Sequence, residues 1–120
     1  MKLTNNEIYQ YAQNLRAFYI ETKMPVRINF YLQKNNQFIQ QAAEEIDKAR
    51  MEIGAQFGVA NEEGTGYNIP PENMADANRE LNDLFNLEQD IPIHKFKLDD
   101  FDGIELTYQQ MSAIMFMIEE

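Results

Sequence analysis

The stretch from Val26 to Phe57 contains no proline and a single glycine, Gly54, near its end; Pro25 precedes it and Gly58 follows it. Apolar residues recur through it at three- and four-residue spacing: Leu32, Ile39, Ala42, Ile46, Ala49 and Ile53. Asn35 stands where that pattern expects an apolar side chain. The opening Val26-Arg27-Ile28-Asn29-Phe30-Tyr31 alternates and would suit a short strand, but one long helix over 27–57 accounts for more of the pattern. A helix of ~30 residues is ~45 Å long, and its length dictates what else the chain must supply.

The first partner is the preceding segment. Thr4, Asn5 and Asn6 are N-cap types and Glu7 suits a first helical turn. Ile8, Ala12, Leu15 and Tyr19 then recur at helical spacing, widened by Tyr11 and Phe18, which predicts a helix over 5–22 that Pro25 ends. Such a helix of ~18 residues covers only ~27 Å. The rest of the long stripe must pack on a later helix, on a second copy, or on both. Ala42 and Ala49 permit close backbone approach, so Leu32, Asn35, Ile39, Ala42, Ile46, Ala49 and Ile53 form the expected seam of a homo-oligomer, with Asn35 fixing its register.

Residues 58–70 hold three glycines and two glutamates and read as a loop, with room for a short strand at Tyr67–Ile69. Pro70-Pro71-Glu72 opens a third helix that presents Met74, Ala77, Leu81, Leu84 and Phe85 on one face and ends near Leu87. The segment 90–98 reads as a strand, placed at an edge by Pro92. Thr107-Tyr108-Gln109-Gln110 fits a capping box, after which Met111, Ile114, Met115 and Ile118 mark a last helix. Ala113, Phe116 and Met117 make that helix apolar nearly all round, the mark of a buried one. The expected architecture is one domain over 1–120, α+β and predominantly α-helical. It comprises a helical hairpin (1–57), a loop (58–70) and a helix–strand–helix segment (71–120) with a small two-stranded β element.

Composition narrows the chemistry. Absence of cysteine excludes disulfides, thiolate metal sites and thiol nucleophiles. The opening residues lack a basic region followed by an apolar run, and no stretch approaches ~20 apolar residues, so a cytosolic protein without a membrane span is expected. The net charge of −10 is uneven: residues 1–60 carry seven Lys/Arg against six Asp/Glu, residues 61–120 three against fourteen. Nucleic-acid affinity rests on Lys/Arg neutralising phosphates, so direct nucleic-acid binding is not expected. A basic protein surface is the better partner for such a chain.

No catalytic constellation is legible. His94 is the only histidine and has no companion that would make a triad or a zinc site. Asp99-Asp100-Phe101-Asp102-Gly103-Ile104-Glu105 imitates a calcium loop, but aligning Gly103 with the loop's glycine puts Leu98 and Gln109 where carboxylates belong. It reads as a turn before the capped helix. Glu44, Glu45, Asp47 and Glu52 lack the Glu-x-x-His partners of a di-metal bundle and interleave with Lys48 and Arg50, as on a solvated face. No enzyme activity, cofactor or metal is expected. The one basic–aromatic cluster is Lys23, Arg27, Phe30, Tyr31 and Lys34, a candidate contact for a small anionic ligand or a partner.

The segments LTNNEIYQYAQNL, MPVRINFYLQKNNQFI and IDKARMEIGAQFG, with the stretch from Arg79 to Glu120, resemble a family of small bacteriophage proteins of unknown function over nearly the whole chain. The family offers no catalytic residues to carry over. What the resemblance implies is origin in a phage or prophage gene, and so a place in the host bacterial cytoplasm or in association with the virion. Two functions follow as expectations. One is a non-enzymatic homo-oligomer that inhibits a host (defence) protein or sequesters a small anionic ligand. The other is a virion, tail accessory or assembly protein.

Overall fold

The structure, a computed structural model, describes residues 1–18 and 24–119. It is α+β and predominantly helical. In chain order it has β1 (Lys2–Thr4), α1 (Asn5–Arg16), α2 (Val26–Phe57), β2 (Val59–Ala60), β3 (Tyr67–Asn68), α3 (Met74–Asn86), β4 (Glu88–Asp90), β5 (Phe96–Lys97), α4 (Tyr108–Ile114) and β6 (Ile118–Glu119). Short 3-10 turns stand at Pro71–Asn73, Leu98–Phe101 and Met115–Met117.

The long helix forms over the expected range, and its length sets the layout. Three segments share its flank. At its middle, α1 runs antiparallel: Tyr9 OH donates to Asp47 Oδ1 (2.9 Å), and Arg16 Nε donates to Gln40 Oε1 (2.9 Å). Beyond the start of α1, α3 takes over, also antiparallel, with Asn73 near Phe57 and Phe85 in edge contact with Tyr9. The first half of α2 is covered by the C-terminal segments, where Ile91, Phe96, Phe101, Ile114 and Met117 join Ile28, Leu32 and Ile39 in one buried cluster. Stacking of Tyr11 on Phe116 (centroids 4.0 Å apart, planes 4° apart) ties α1 to the end of α4.

Several sequence expectations change. Helix α1 ends at Arg16, short of residue 22, because the Phe18 N–H turns back to Leu15 O at 3.1 Å. Tyr19 of its predicted stripe lies outside the described residues. The single strand over 90–98 is two separate pieces. Glu88–Asp90 pairs antiparallel with Lys2–Thr4, and Phe96–Lys97 pairs parallel with Ile118–Glu119. Pro92, which has no N–H to give a ladder, stands between them. The loop of 58–70 contains a β2–β3 hairpin, so the described residues hold three two-stranded sheets rather than one. The last helix breaks at Ile114 into a 3-10 turn, which leaves Met115 exposed.

The proposed oligomer seam is an intramolecular one. Leu32, Asn35, Ile39, Ala42 and Ile46 are all buried within the chain, and Ala49 and Ile53 are half-buried. Asn35 does fix register, but within the molecule. Its Oδ1 accepts the His94 N–H (2.8 Å), while its Nδ2 donates to His94 O (2.9 Å) and contacts Met117 Sδ (3.3 Å). One buried amide thereby replaces a strand partner for residue 94.

Asn35→Leu strands both backbone groups of His94 and is expected to lower unfolding free energy by about 2–4 kcal/mol in urea titration. Unchanged or raised stability would show that apolar packing outweighs the amide clamp. A second outcome concerns alkali. The Asp47 hydrogen bond, then burial, raise the Tyr9 phenol above its ordinary range, and burial, then Glu7, raise Tyr11. The unfolded chain therefore loses these protons first as pH rises. Their contribution is complete below about pH 10 and vanishes as pH climbs through the folded values. Asp47→Ala should bring the Tyr9 phenolate absorbance transition down, identified by difference against Tyr9→Phe; a transition that stays put would rule out the hydrogen bond as its cause.

Candidate functional site

The basic–aromatic corner assembles in part. Arg27, Tyr31 and Lys34 lie at i, i+4 and i+7 along the first turns of α2, one face of a helix. Lys23 lies outside the described residues. Arg27 is committed elsewhere: its Nη2 meets Asp100 Oδ1 at 3.1 Å, and the other oxygen of Asp100 accepts the Lys97 N–H at 2.9 Å. The acidic run that imitated a calcium loop thus caps its own 3-10 turn and compensates a guanidinium. Tyr31 is covered too, stacked on the His94 ring with centroids 3.7 Å apart and planes 10° apart. Phe30 remains open to solvent, with Lys34 Nζ 5.7 Å from its ring centroid. Among the described residues, an anion arriving here meets the Lys34 ammonium and the Phe30 ring, next to a cation already balanced.

His94 belongs to the framework. Asn35 holds its backbone, Tyr31 covers one ring face, and Phe96 meets it edge-on at 5.0 Å. The carboxylates of α2 do not converge: Asp47 serves Tyr9 and Arg50 (3.4 Å), while Glu44, Glu45 and Glu52 are exposed. Among the described residues no three His, Asp or Glu side chains are grouped to hold a metal ion. An open groove of about 650 Å³ between the end of α1 and the start of α4 is lined by Gln13, Asn14, Thr107, Tyr108 and Gln109 among others. Among the described residues its lining contains no carboxylate, ammonium or imidazole.

The opposite end of the molecule differs in character. No α2 residue beyond Ile46 is fully buried, and within α3 only Ala77 is. The β2–β3 hairpin folds back onto the last turns of α2, where the Tyr67 ring lies over Gly54 so closely that an added Cβ would stand 2.8 Å from Cδ2. Asn73 Nδ2 donates to Phe57 O (2.9 Å) and closes the end of α2, whose terminal carbonyls have no helical partner. Around this tip Met51, Val59, Tyr67 and Met74 are between 38% and 67% exposed. Residues 44–90 carry twelve Asp/Glu against three Lys/Arg, −9 of the total −10. Two of those three cations, Arg50 and Arg79, are already paired with Asp47 and Asp76 one turn away.

A polar residue in an apolar stripe is the one local sign of the Asn35–His94 clamp. Sequence reading located the exposed basic corner but not the distal tip, whose residues come together through the β2–β3 hairpin and the Asn73–Phe57 bond. Comparison with protein families, curated proteins and solved structures finds no match to this chain. No helix among the described residues is long and apolar enough to cross a membrane.

The hairpin's seat can be tested at Gly58. A Cβ there would stand 2.8 Å from Asn68 O and 2.9 Å from Gly54 O, both backbone atoms that cannot swing aside. Gly58→Ala is expected to cost about 1–3 kcal/mol and to raise amide exchange selectively over 54–68. Equal exchange across the molecule would mean that the hairpin is not an independently opening unit.

Proposed function

We propose that this chain acts by binding, as a non-enzymatic accessory protein of phage origin whose partner is a protein in the host bacterial cytoplasm. The observation that carries the reading is the division of the molecule. A packed body takes the first half of α2, and the incompletely buried end over residues 47–80 carries seven Asp/Glu against three Lys/Arg. The molecule is elongated, 56 × 29 × 21 Å with a radius of gyration of 17.8 Å, against about 13–14 Å for a compact chain of this length. Long shape and one-sided charge suit a protein that covers another protein's surface, where complementary potentials speed and select encounter.

Sequestration of a small anion is the weaker variant. Arg27 is compensated by Asp100, Tyr31 is covered by His94, and a charge of −10 opposes the approach of an anion. Self-association along Leu32–Ile46 is also disfavoured, because that stripe is already buried in the chain.

Native mass spectrometry of the tagged protein recovered from infected host lysate tests the reading. Retention of a host protein with a net positive charge is the expected result. Recovery with phage structural proteins would transfer the chain to virion assembly. A retained nucleotide-sized anion would move function to the Arg27–Lys34 corner. Either finding overturns the proposal.

A further inference from the structure

We infer that the distal tip, formed by Met51, Gly54 with Tyr67 above it, Val59 and Met74, is a docking surface for a basic amphipathic segment of a partner protein. The inference rests on the binding function proposed above and adds the place and the chemistry.

Two independent features meet at this tip. The first is unfinished burial. The middle of α2 has α1 on its flank as far as Asp47 and its beginning has the C-terminal segments, whereas further on α3 and a two-residue-per-strand hairpin are what the described residues lay over it. Met51 precedes Gly54, where the Tyr67 ring is seated, by one turn of the same helix. Met74 follows Asn73, which is bonded to the last carbonyl of α2. The apolar groups therefore gather at one end. Two are methionines, whose flexible thioethers mould to an incoming surface.

The second feature is charge, which selects among occupants. Glu52, Glu62, Glu63, Glu72 and Asp76 are all exposed around these residues. A second copy would set one acidic tip against another, and like charges across an interface are repulsive. Nucleic acid and anionic lipid are repelled for the same reason. A segment with Lys or Arg beside apolar side chains satisfies both features, since the stems of those residues pack on apolar surface while their heads reach the carboxylates.

The test is site-specific photocrosslinking in cells that produce the protein. The photoreactive amino acid is placed at Met51 in one variant and at Phe30, in the basic corner, in another. The expected result is a protein adduct from position 51 whose crosslinked peptide, read by mass spectrometry, is rich in Lys/Arg and apolar residues. Its yield should fall about tenfold in a Glu62→Lys, Glu63→Lys background, which changes only an exposed loop and whose fold circular dichroism verifies. Adducts from position 30 alone would overturn the site and leave the binding function standing. No protein adduct from either position would overturn both. A position-51 adduct to another copy of the chain, or to an acidic segment, would overturn the assigned partner.

Discussion

A helix of 32 residues presents an apolar stripe about 48 Å long, and no other helix among the described residues reaches along it. That mismatch governs the molecule. Burial of a whole side chain from water is worth about 1.5–3 kcal/mol for the larger apolar types, so an uncovered stripe is a standing instability. The chain meets it by laying three unlike pieces end to end: the C-terminal segments, then α1, then α3 with the hairpin. The quality of cover declines along that order. The stripe positions Ile28, Leu32, Asn35, Ile39, Ala42 and Ile46 are buried, and Ala49, Ile53 and Phe57 only in part.

Amide side chains join these pieces where extended sheets would do so in other folds. Asn5, itself buried, donates to Leu84 O near the end of α3 (2.8 Å) and accepts from Gln89 (2.7 Å). Gln40 donates to Ala12 O (2.9 Å), Asn73 to Phe57 O, and Asn35 clasps both backbone groups of His94. The bonds to Leu84, Phe57 and His94 reach backbone groups near a helix end or in a connecting segment, where helical ladders run out. Among the described residues no buried side-chain nitrogen or oxygen lacks a partner.

What was legible in the sequence follows from range. Caps are decided within four residues, and both Thr4 with Glu7 and Thr107 with Gln110 form the reciprocal boxes that their spacing allows. The long helix was legible for a similar reason: the absence of breakers is a local property. Asn35 was singled out correctly as unusual, yet its partner lies 59 residues away, and nothing near residue 94 announces it. The run 90–98 looked like one strand because alternation reports which residues favour extended backbone, not which neighbours they find. The basic corner had the composition of a ligand site. Its nearest anion, however, was already in the chain at Asp100.

The pairing of β5 with β6, together with Met117 against Asn35, has a consequence for the order in which the molecule is made. The first half of α2 leaves the ribosome long before the segments that cover it, since its lid includes residues from Ile91 to Met117. Strand β1 likewise waits for β4, whose residues pair with it across separations of 84 (Thr4 with Glu88) to 88 (Lys2 with Asp90). During synthesis, then, the hairpin of α1 and α2 exists with Ile28 and Leu32 bare, and the body closes only when the residues up to Met117 have emerged. Domains rich in such distant pairings fold more slowly and stay exposed longer. The nascent chain is therefore a stickier object than the finished one, at the end opposite to the tip that stays open in the finished protein.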